Sequence, residues 1–221
     1  MSVSKATVSG VLRRAGLSRL SDLGLKQDVQ RYERAAPGEL LHIDIKRLGR
    51  FDKVGLRITG ARRQRARRIG WDYVFVAIDD HSRIAFTHVY PDETKHSAEA
   101  FLRASVCYFA NLYVPIQRVL TDNGKSFHSG LFTQACRQLG VAQKSTRAYQ
   151  PQTNGKAERF IQSALREWAY GRVYESSEQC RAALPVWNHF YNWHHPHHGI
   201  DLQPPMSRLA LKRNNLLTLQ S

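Results

Sequence analysis

Three acidic side chains in this sequence have the type and setting to bind divalent metal. Asp44 lies inside the apolar run LLHIDI, Asp122 follows a short apolar segment in LTDNG, and Glu158 lies near the start of the amphipathic segment GKAERFIQSAL. Carboxylates suit hard cations such as Mg²⁺ or Mn²⁺. Two such ions activate the attacking oxygen and stabilise the leaving oxygen in phosphoryl transfer. We therefore expect these three acids to be catalytic and to hold two metal ions.

Each acid also has an ordinary structural explanation. Asp44 could face water on an edge strand, Asp122 could belong to an Asp-Asn-Gly turn, and Glu158 could favour the first turn of a helix because of the helix dipole. The three form one site only if the strands of Asp44 and Asp122 are neighbours. Both acids would then point into a crevice at a strand end, where α/β sheets commonly bind ligands.

The elements that would position these acids follow from hydrophobic periodicity. The pattern predicts five strands, over 40–45, 71–78, 84–90, 117–120 and 141–146. It predicts helices over 4–15, 94–112, 129–139, 156–171 and 177–194. The first three strands follow one another with no helix between them, although a long loop separates the first two, and this order predicts an antiparallel meander. The alternation of helices and strands after them predicts a mixed α/β sheet flanked by helices. On the fourth helix the predicted core stripe is Ala157, Ile161, Ala164, Leu165 and Trp168, with Glu158 at its border.

The overall charge of the chain indicates a polyanionic partner. Its 33 Lys and Arg against 18 Asp and Glu give a formal net charge of +15, which favours nucleic acid over an anionic membrane surface. There is no apolar run long enough to span a bilayer and no signal-peptide pattern at the N-terminus, so we expect a cytoplasmic protein. The three cysteines are widely spaced and form no CxxC pair, which argues against disulfides or a cysteine zinc site.

Basic and polar side chains near the acids are candidates for DNA contacts. Lys156 and Arg159 flank Glu158 and could hold the DNA backbone or simply be solvated. Gln152 and Asn154 could contact DNA, or could only shape the loop and cap the helix. A predicted loop over 46–70 carries ten Lys and Arg side chains. We interpret it as an arm that lies on DNA, with candidate contacts at Arg62, Arg63, Arg65, Arg67 and Arg68.

Two further clusters have open interpretations. His194, His195, His197 and His198 could form a zinc site, although packing and DNA contact are simpler explanations. The neighbouring acids at 79 and 80 fall at a predicted hairpin turn, where acids are common. We therefore assign no catalytic role to them.

The spacing and the strings around the acids resemble a known family. Asp122 and Glu158 are separated by 35 residues, and the matching strings are HID at 42–44, LTDNG at 120–124, YQPQTNGKAERF at 149–160 and FYNWHHPHHGI at 190–200. Together they resemble retroviral-type integrases and bacterial insertion-sequence transposases over about 38–208. The resemblance implies a ribonuclease H-like fold, bound Mg²⁺, and an enzyme that cuts and joins DNA, with mobile-element ends and target DNA as partners.

The resemblance also suggests how the chain is organised. We expect a partial helix-turn-helix remnant over 1–24, a linker over 25–37, a catalytic core over 38–208 and a tail over 209–221. The interval from Asp44 to Asp122 is longer than in the shortest family members because of 46–70. We expect at least a homodimer on DNA, since two DNA ends must be joined. Three alternatives stay open: a non-catalytic DNA-binding remnant of a truncated transposase, a simple ribonuclease H-like nuclease, and a zinc-dependent binding module.

Overall fold

The computed structural model describes residues 3–17, 33–52, 70–146 and 154–209. The predicted contacts Gln152, Arg62, Arg63, Arg65, Arg67 and Arg68 lie outside these ranges, as do most of the predicted linker and tail. The chain divides into two compact units, residues 1–33 and 34–221.

The first unit contains helix α1, Lys5–Arg14, close to the predicted 4–15. Ser4 caps it, because its side chain accepts the Thr7 N–H at 3.2 Å. The helix buries none of its own residues, and its apolar side chains Val8, Val11 and Leu12 are exposed. No burial against the other described residues stabilises this helix, and a ten-residue helix alone is marginal in water.

The second unit is built on a five-stranded sheet in the order β3-β2-β1-β4-β5. The pairs β1–β2 and β2–β3 are antiparallel, whereas β1–β4 and β4–β5 are parallel. This mixed topology is the one that the sequence predicted. The strands are β1 Leu41–Gly49, β2 Trp71–Asp79, β3 Ala85–Tyr90, β4 Arg118–Thr121 and β5 Ala142–Ser145.

The helices alternate with the strands as predicted. Helix α4 ends at Ala164 and continues as a π-helical turn, Leu165–Ala169, so the predicted single helix over 156–171 changes its geometry partway. No helix among the described residues is both long and apolar enough to cross a bilayer. The helices of this unit are α2 Lys95–Asn111, α3 Gly130–Gln138, α4 Gly155–Ala164 and α5 Ser177–Trp193, followed by short 3₁₀ turns at His198–Ile200 and Pro205–Arg208.

The sheet has an apolar cluster on each face. One cluster joins strand residues such as Ile43 and Phe75 to α2 and α3. The other joins Val74, Val76 and Ile78 of β2 to α4 and α5. Because side chains alternate along a strand, His42 and Asp44 lie opposite Ile78 and Val76 on the α4 face.

Strand β1 is longer than the sequence pattern predicts. It continues through Lys46–Gly49, residues that we had placed in the basic loop over 46–70. The antiparallel ladder with β2 accounts for the difference, since it pairs Lys46 with Val74 and runs on to pair Gly49 with Trp71. Backbone pairing therefore overrides the basic composition of this stretch.

The side chain of Asn192 on α5 pairs with the backbone of Ala85 at the β3 edge of the sheet. Its Oδ1 accepts the Ala85 N–H at 2.8 Å, and its Nδ2 donates to the Ala85 carbonyl at 2.8 Å and to the Tyr108 hydroxyl at 3.1 Å. β3 is an edge strand, so Asn192 supplies the pairing that another strand would give. Asn192, which belongs to the string FYNWHHPHHGI, therefore has a structural role, because it ties α5 to the sheet.

We predict that Asn192→Ala lowers the free energy of unfolding by about 2–3 kcal/mol. The variant leaves a buried N–H and weakens the pairing of a buried carbonyl, and each such loss costs about 1–3 kcal/mol. Urea unfolding measures the change. Asn111→Ala, at an exposed position at the end of α2, is the control and should change stability by less than about 0.5 kcal/mol. Equal effects of the two variants would contradict the prediction.

Candidate active site

The parallel pairing of β1 and β4 brings two of the predicted acids together. The ladder pairs Leu41 with Val119 and His42 with Leu120. The same offset places Asp44 opposite Asp122, just beyond the paired residues. β4 ends at Thr121, so Asp122 is the first residue after the strand and is exposed, while Asp44 is partly buried within β1. The condition for a shared crevice, that these strands are neighbours, is therefore met.

The third acid reaches the site from α4. Ala157, Ile161, Ala164 and Trp168 are buried as predicted, with Leu165 only partly buried. Glu158 lies beside this buried stripe and is exposed. The packing of α4 on the sheet face that carries Asp44 thus brings the Glu158 carboxylate within electrostatic range of it.

The electrostatics of Asp44 show that the three charges interact. The pKa of Asp44 is raised to about 6, mainly by burial and in part by the negative charges of Asp122 and Glu158. The Ile45 N–H, which donates to the Asp44 carboxylate at 2.7 Å, acts in the opposite direction. The negative charge of the Asp44 carboxylate is therefore poorly compensated by the surrounding protein groups.

The site chemistry fits a hard divalent cation. All three candidate ligands are carboxylates, and among the described residues none of them takes part in an ion pair. Asp122 is oriented by the Gly124 N–H at 2.9 Å, and a Cβ at position 124 would lie 2.9 Å from the Asp122 Oδ1. Within the described ranges no three His, Cys, Asp or Glu side chains already stand close enough to enclose a metal, so the acids form an open arrangement.

Behind the acids lies a buried polar network centred on Asp80. The Asp80 Oδ1 contacts the His42 Nε2 at 2.8 Å and the Lys156 Nζ, and its Oδ2 accepts the Arg34 N–H at 2.7 Å. Burial alone would raise the pKa of Asp80, but the hydrogen bonds from His42, Lys156 and Arg34 hold it below its ordinary value. Asp80 is therefore an ionised, fully buried and compensated carboxylate.

Asn154 belongs to the same network. Its Nδ2 donates to the Ile43 carbonyl at 3.3 Å, so its Oδ1 faces the His42 Nδ1 at 3.2 Å. Because the other nitrogen of His42 faces Asp80, the imidazole can donate to both oxygens only when it carries both protons. Asn154 is buried and makes no side-chain cap hydrogen bond. Asn154 therefore does not cap the helix through its side chain, whereas its contact with DNA stays a prediction.

The remaining candidates divide between paired and exposed side chains. Lys156 contacts Asp80 and its side chain is 19% exposed, so it points into the network as well as lying beside Glu158. Arg159 is exposed, with one contact to Gln162 at 3.4 Å, and its role in DNA contact stays a prediction.

A hairpin turn explains the contacts of Asp79 with Ser82, but it explains neither the contact of Asp79 with Gly38 nor the side-chain contacts of Asp80. Asp79 accepts the Gly38 N–H at 2.8 Å and the Ser82 N–H at 2.7 Å. Asp80 was missed because its partners lie 38 and 76 residues away. The one local signal was His42, a polar residue in an apolar strand that needs a buried partner.

The histidine cluster is used in packing and local hydrogen bonds. The His195 Nε2 pairs with Glu167 at 3.2 Å, and the His197 Nδ1 accepts the Gly199 N–H at 3.2 Å. The pKa of His197 is lowered to about 4, mainly by burial and in part by the charge of Arg83. Among the described residues no three His, Cys, Asp or Glu side chains stand close enough to hold a metal ion. Together with these contacts, this gives the zinc alternative no support.

Comparison with known proteins gives a consistent result. A family model described as "Integrase core domain" matches residues 34–151, and a second with the same description matches 139–205. Integrase ORF3 of Spiroplasma virus SpV1-C74 is 26% identical over 150 residues, covering 62% of this chain and 41% of that protein. Transposase InsD for insertion element IS2A/D/F/H/I/K of Escherichia coli is 29% identical over 102 residues, covering 45% of this chain and 33% of that protein. The chain therefore spans less than half the length of these relatives.

The fold has a counterpart among solved structures. A chain of the simian T-cell lymphotropic virus intasome, in complex with PP2A regulatory subunit B56 gamma, matches with a TM-score of 0.60 and 17% identity, covering 96% of this chain and 76% of that chain. At this identity the likeness concerns the fold alone. With the observed strand order, it identifies the predicted ribonuclease H-like fold.

We predict that Asp44→Asn stabilises the metal-free protein by about 1–2 kcal/mol above pH 6, after allowance for solvent screening of a partly exposed group. The native pKa of about 6 exceeds the ordinary value of 3.8, so the ionised carboxyl destabilises the fold. The gain should shrink between pH 6 and 4, because the wild-type carboxyl takes up a proton there. Thermal unfolding in EDTA measures it, with the exposed Asp201→Asn as control. A gain that does not depend on pH would count against the explanation.

Proposed function

We propose, from the premise that this chain belongs to the integrase core domain family, that it is a DNA transposase or integrase core. Its activity would be divalent-metal-dependent cleavage of DNA strands followed by strand transfer. The observation that carries the proposal is that Asp44 on β1 lies opposite Asp122 at the end of β4, and that both Asp122 and Glu158 act electrostatically on Asp44. Family membership supports a polynucleotidyl transferase in general; the roles of Asp44, Asp122 and Glu158 are our proposal.

In this proposal the three carboxylates hold Mg²⁺ or Mn²⁺, two ions when fully loaded. Bound metal would activate the attacking oxygen and offset charge on the leaving oxygen. Asp44 must lose its proton to bind metal, and its raised pKa makes it a good ligand only near and above neutral pH. Asp122 is held in orientation by the Gly124 N–H. Arg159, beside Glu158, would hold a DNA phosphate.

The reaction balances without an external energy source. In the first step water attacks a phosphodiester, one P–O bond forms and one breaks, and the leaving oxygen takes a proton as a free 3′-OH. In the second step that hydroxyl attacks a phosphodiester of target DNA, again exchanging one P–O bond for another. No covalent protein intermediate is required, so no nucleophilic side chain of this chain has to be assigned.

DNA is the proposed partner, in agreement with the net charge of +15. Such a charge attracts phosphates without regard to sequence, and the basic stretch 53–69 is our candidate for much of this contact. Because strand transfer joins two element ends to one target, we propose at least a homodimer on DNA.

We predict that Asp122→Asn lowers metal-dependent cleavage by about 100-fold or more while the fold is kept. The variant retains volume and the acceptor for the Gly124 N–H but loses a charged metal ligand worth several kcal/mol in the transition state. The assay is nicking of plasmid DNA that carries the element ends, in Mg²⁺ or Mn²⁺. Asp201→Asn, at an exposed position, should cleave at the wild-type rate. Wild-type activity in Asp122→Asn would end the metal-site hypothesis.

We also predict that replacing the five arginines at 62, 63, 65, 67 and 68 by alanine weakens binding to all DNA sequences about equally. Backbone contacts carry no sequence information. The slope of log K against log salt should fall by about 3–4, close to one for each lost phosphate contact. The matched control carries lysine at the same five positions and should keep the slope. If the alanine variant also keeps it, the segment does not contact DNA.

A further inference from the structure

The carboxylate of Asp80 joins the two elements that carry Asp44 and Glu158. His42, which contacts Asp80 from β1, lies two residues before Asp44 on the same strand face. Lys156, which contacts Asp80 from the first turn of α4, lies two residues before Glu158. One buried anion is thus linked through two short paths to two of the three proposed metal ligands.

We propose that Asp80 is a positioning residue for the metal-binding carboxylates. Its carboxylate holds β1 through His42 and the start of α4 through Lys156, and so fixes the separation of Asp44 and Glu158. The proposal deepens the proposed function and rests on it. Asp80 touches neither DNA nor metal in this scheme and acts only through its two partners.

The way in which α4 begins supports this role. The residue at its N-cap position, Asn154, makes no side-chain hydrogen bond to the helix. It bonds instead to His42 and to the Ile43 carbonyl on β1. The start of α4 is therefore held by side-chain contacts to the sheet, through Asn154 and Lys156, and both lead back to His42 or Asp80.

Burial explains why this network fixes a geometry. The side chains of Asp80 and His42 have no solvent exposure, and that of Lys156 is 19% exposed. Buried ion pairs add little net stability compared with apolar packing, but removing one member leaves an uncompensated charge. The network thus tolerates little displacement. Groups that orient metal ligands in this indirect way typically change metal affinity by about 10–100-fold when they are removed.

The decisive variant is Lys156→Gln. Loss of the Lys156 charge and loss of its contact with Asp80 are expected to change the divalent-metal affinity in opposite directions. Loss of a cation beside three carboxylates would by Coulomb attraction alone strengthen divalent-metal binding. Loss of the tie between Asp80 and α4 should weaken it. We expect the Mn²⁺ affinity of the DNA-free full chain, measured by water-proton relaxation, to fall about 10-fold or more.

Asp80→Asn and a matched control complete the experiment. Asp80→Asn should also weaken Mn²⁺ binding by about 10–100-fold. Asp79→Asn is the control, since Asp79 is equally buried but its described side-chain hydrogen bonds go to Gly38 and Ser82 and not to His42 or Lys156; its Mn²⁺ affinity should stay within about twofold of wild type. Circular dichroism and thermal unfolding establish that each variant is folded at the assay temperature. If Asp80→Asn does not fold, Lys156→Gln decides the question.

The outcomes separate this proposal from the function on which it rests. If the wild-type chain binds no Mn²⁺, or if Asp122→Asn binds it equally well, the proposed metal site is wrong and this proposal is wrong with it. If wild type binds Mn²⁺ and Asp122→Asn does not, the metal site stands. In that case, affinity in Lys156→Gln that equals or exceeds wild type overturns the positioning role alone.

Discussion

Partial burial of the Asp44 carboxylate close to the charges of Asp122 and Glu158 is the constraint that the surrounding structure satisfies. Asp44 is partly buried, and burial and the nearby charges raise its pKa to about 6. Such a site persists only if the elements that carry the acids are held by interactions elsewhere. The β1–β4 ladder and the apolar cluster under α4 supply them, so the core of the fold offsets the cost of the site.

The charges of two acidic side chains, the buried Asp80 and the partly buried Asp44, are compensated to different degrees. Asp80 is compensated by His42, Lys156 and a backbone N–H, so its negative charge is stable without further help. Asp44 has a backbone N–H from Ile45 and no ion pair among the described residues. Within the described residues, the charge of Asp80 is thus compensated, whereas that of Asp44 is left largely uncompensated. Under the proposed function, this difference distinguishes a positioning carboxylate from one that binds a cation.

The sequence predicted the strands, the helices and the sheet topology because apolar periodicity records which face of each element is buried. The meeting of Asp44 and Asp122 was conditional on strand neighbours, which the parallel ladder supplies. The contacts of His42 with Asp80 and Asn154 span 38 and 112 residues. His42 indicates locally that a buried partner is needed but does not identify it, so the places of Asp80 and Asn154 in the network could not be predicted. The extra length of β1 was missed for a related reason, since pairing with β2 outweighs the basic composition of 46–49.

The residues that flank the basic stretch 53–69, at 50–52 and 70–72, are anchored at the end of the sheet toward which Asp44 and Asp122 lie. β1 runs parallel to β4 and continues five residues beyond Asp44, roughly 17 Å at 3.3 Å per residue. There the Arg50 N–H donates to the Gly70 carbonyl at 3.0 Å, and the Arg50 guanidinium pairs with the buried Asp72 at 2.6 Å. Phe51 and Ser177 exchange two hydrogen bonds, at 2.8 and 3.0 Å, which tie this flanking segment to α5. The described residues on either side of 53–69 are therefore anchored to the same sheet that carries Asp44.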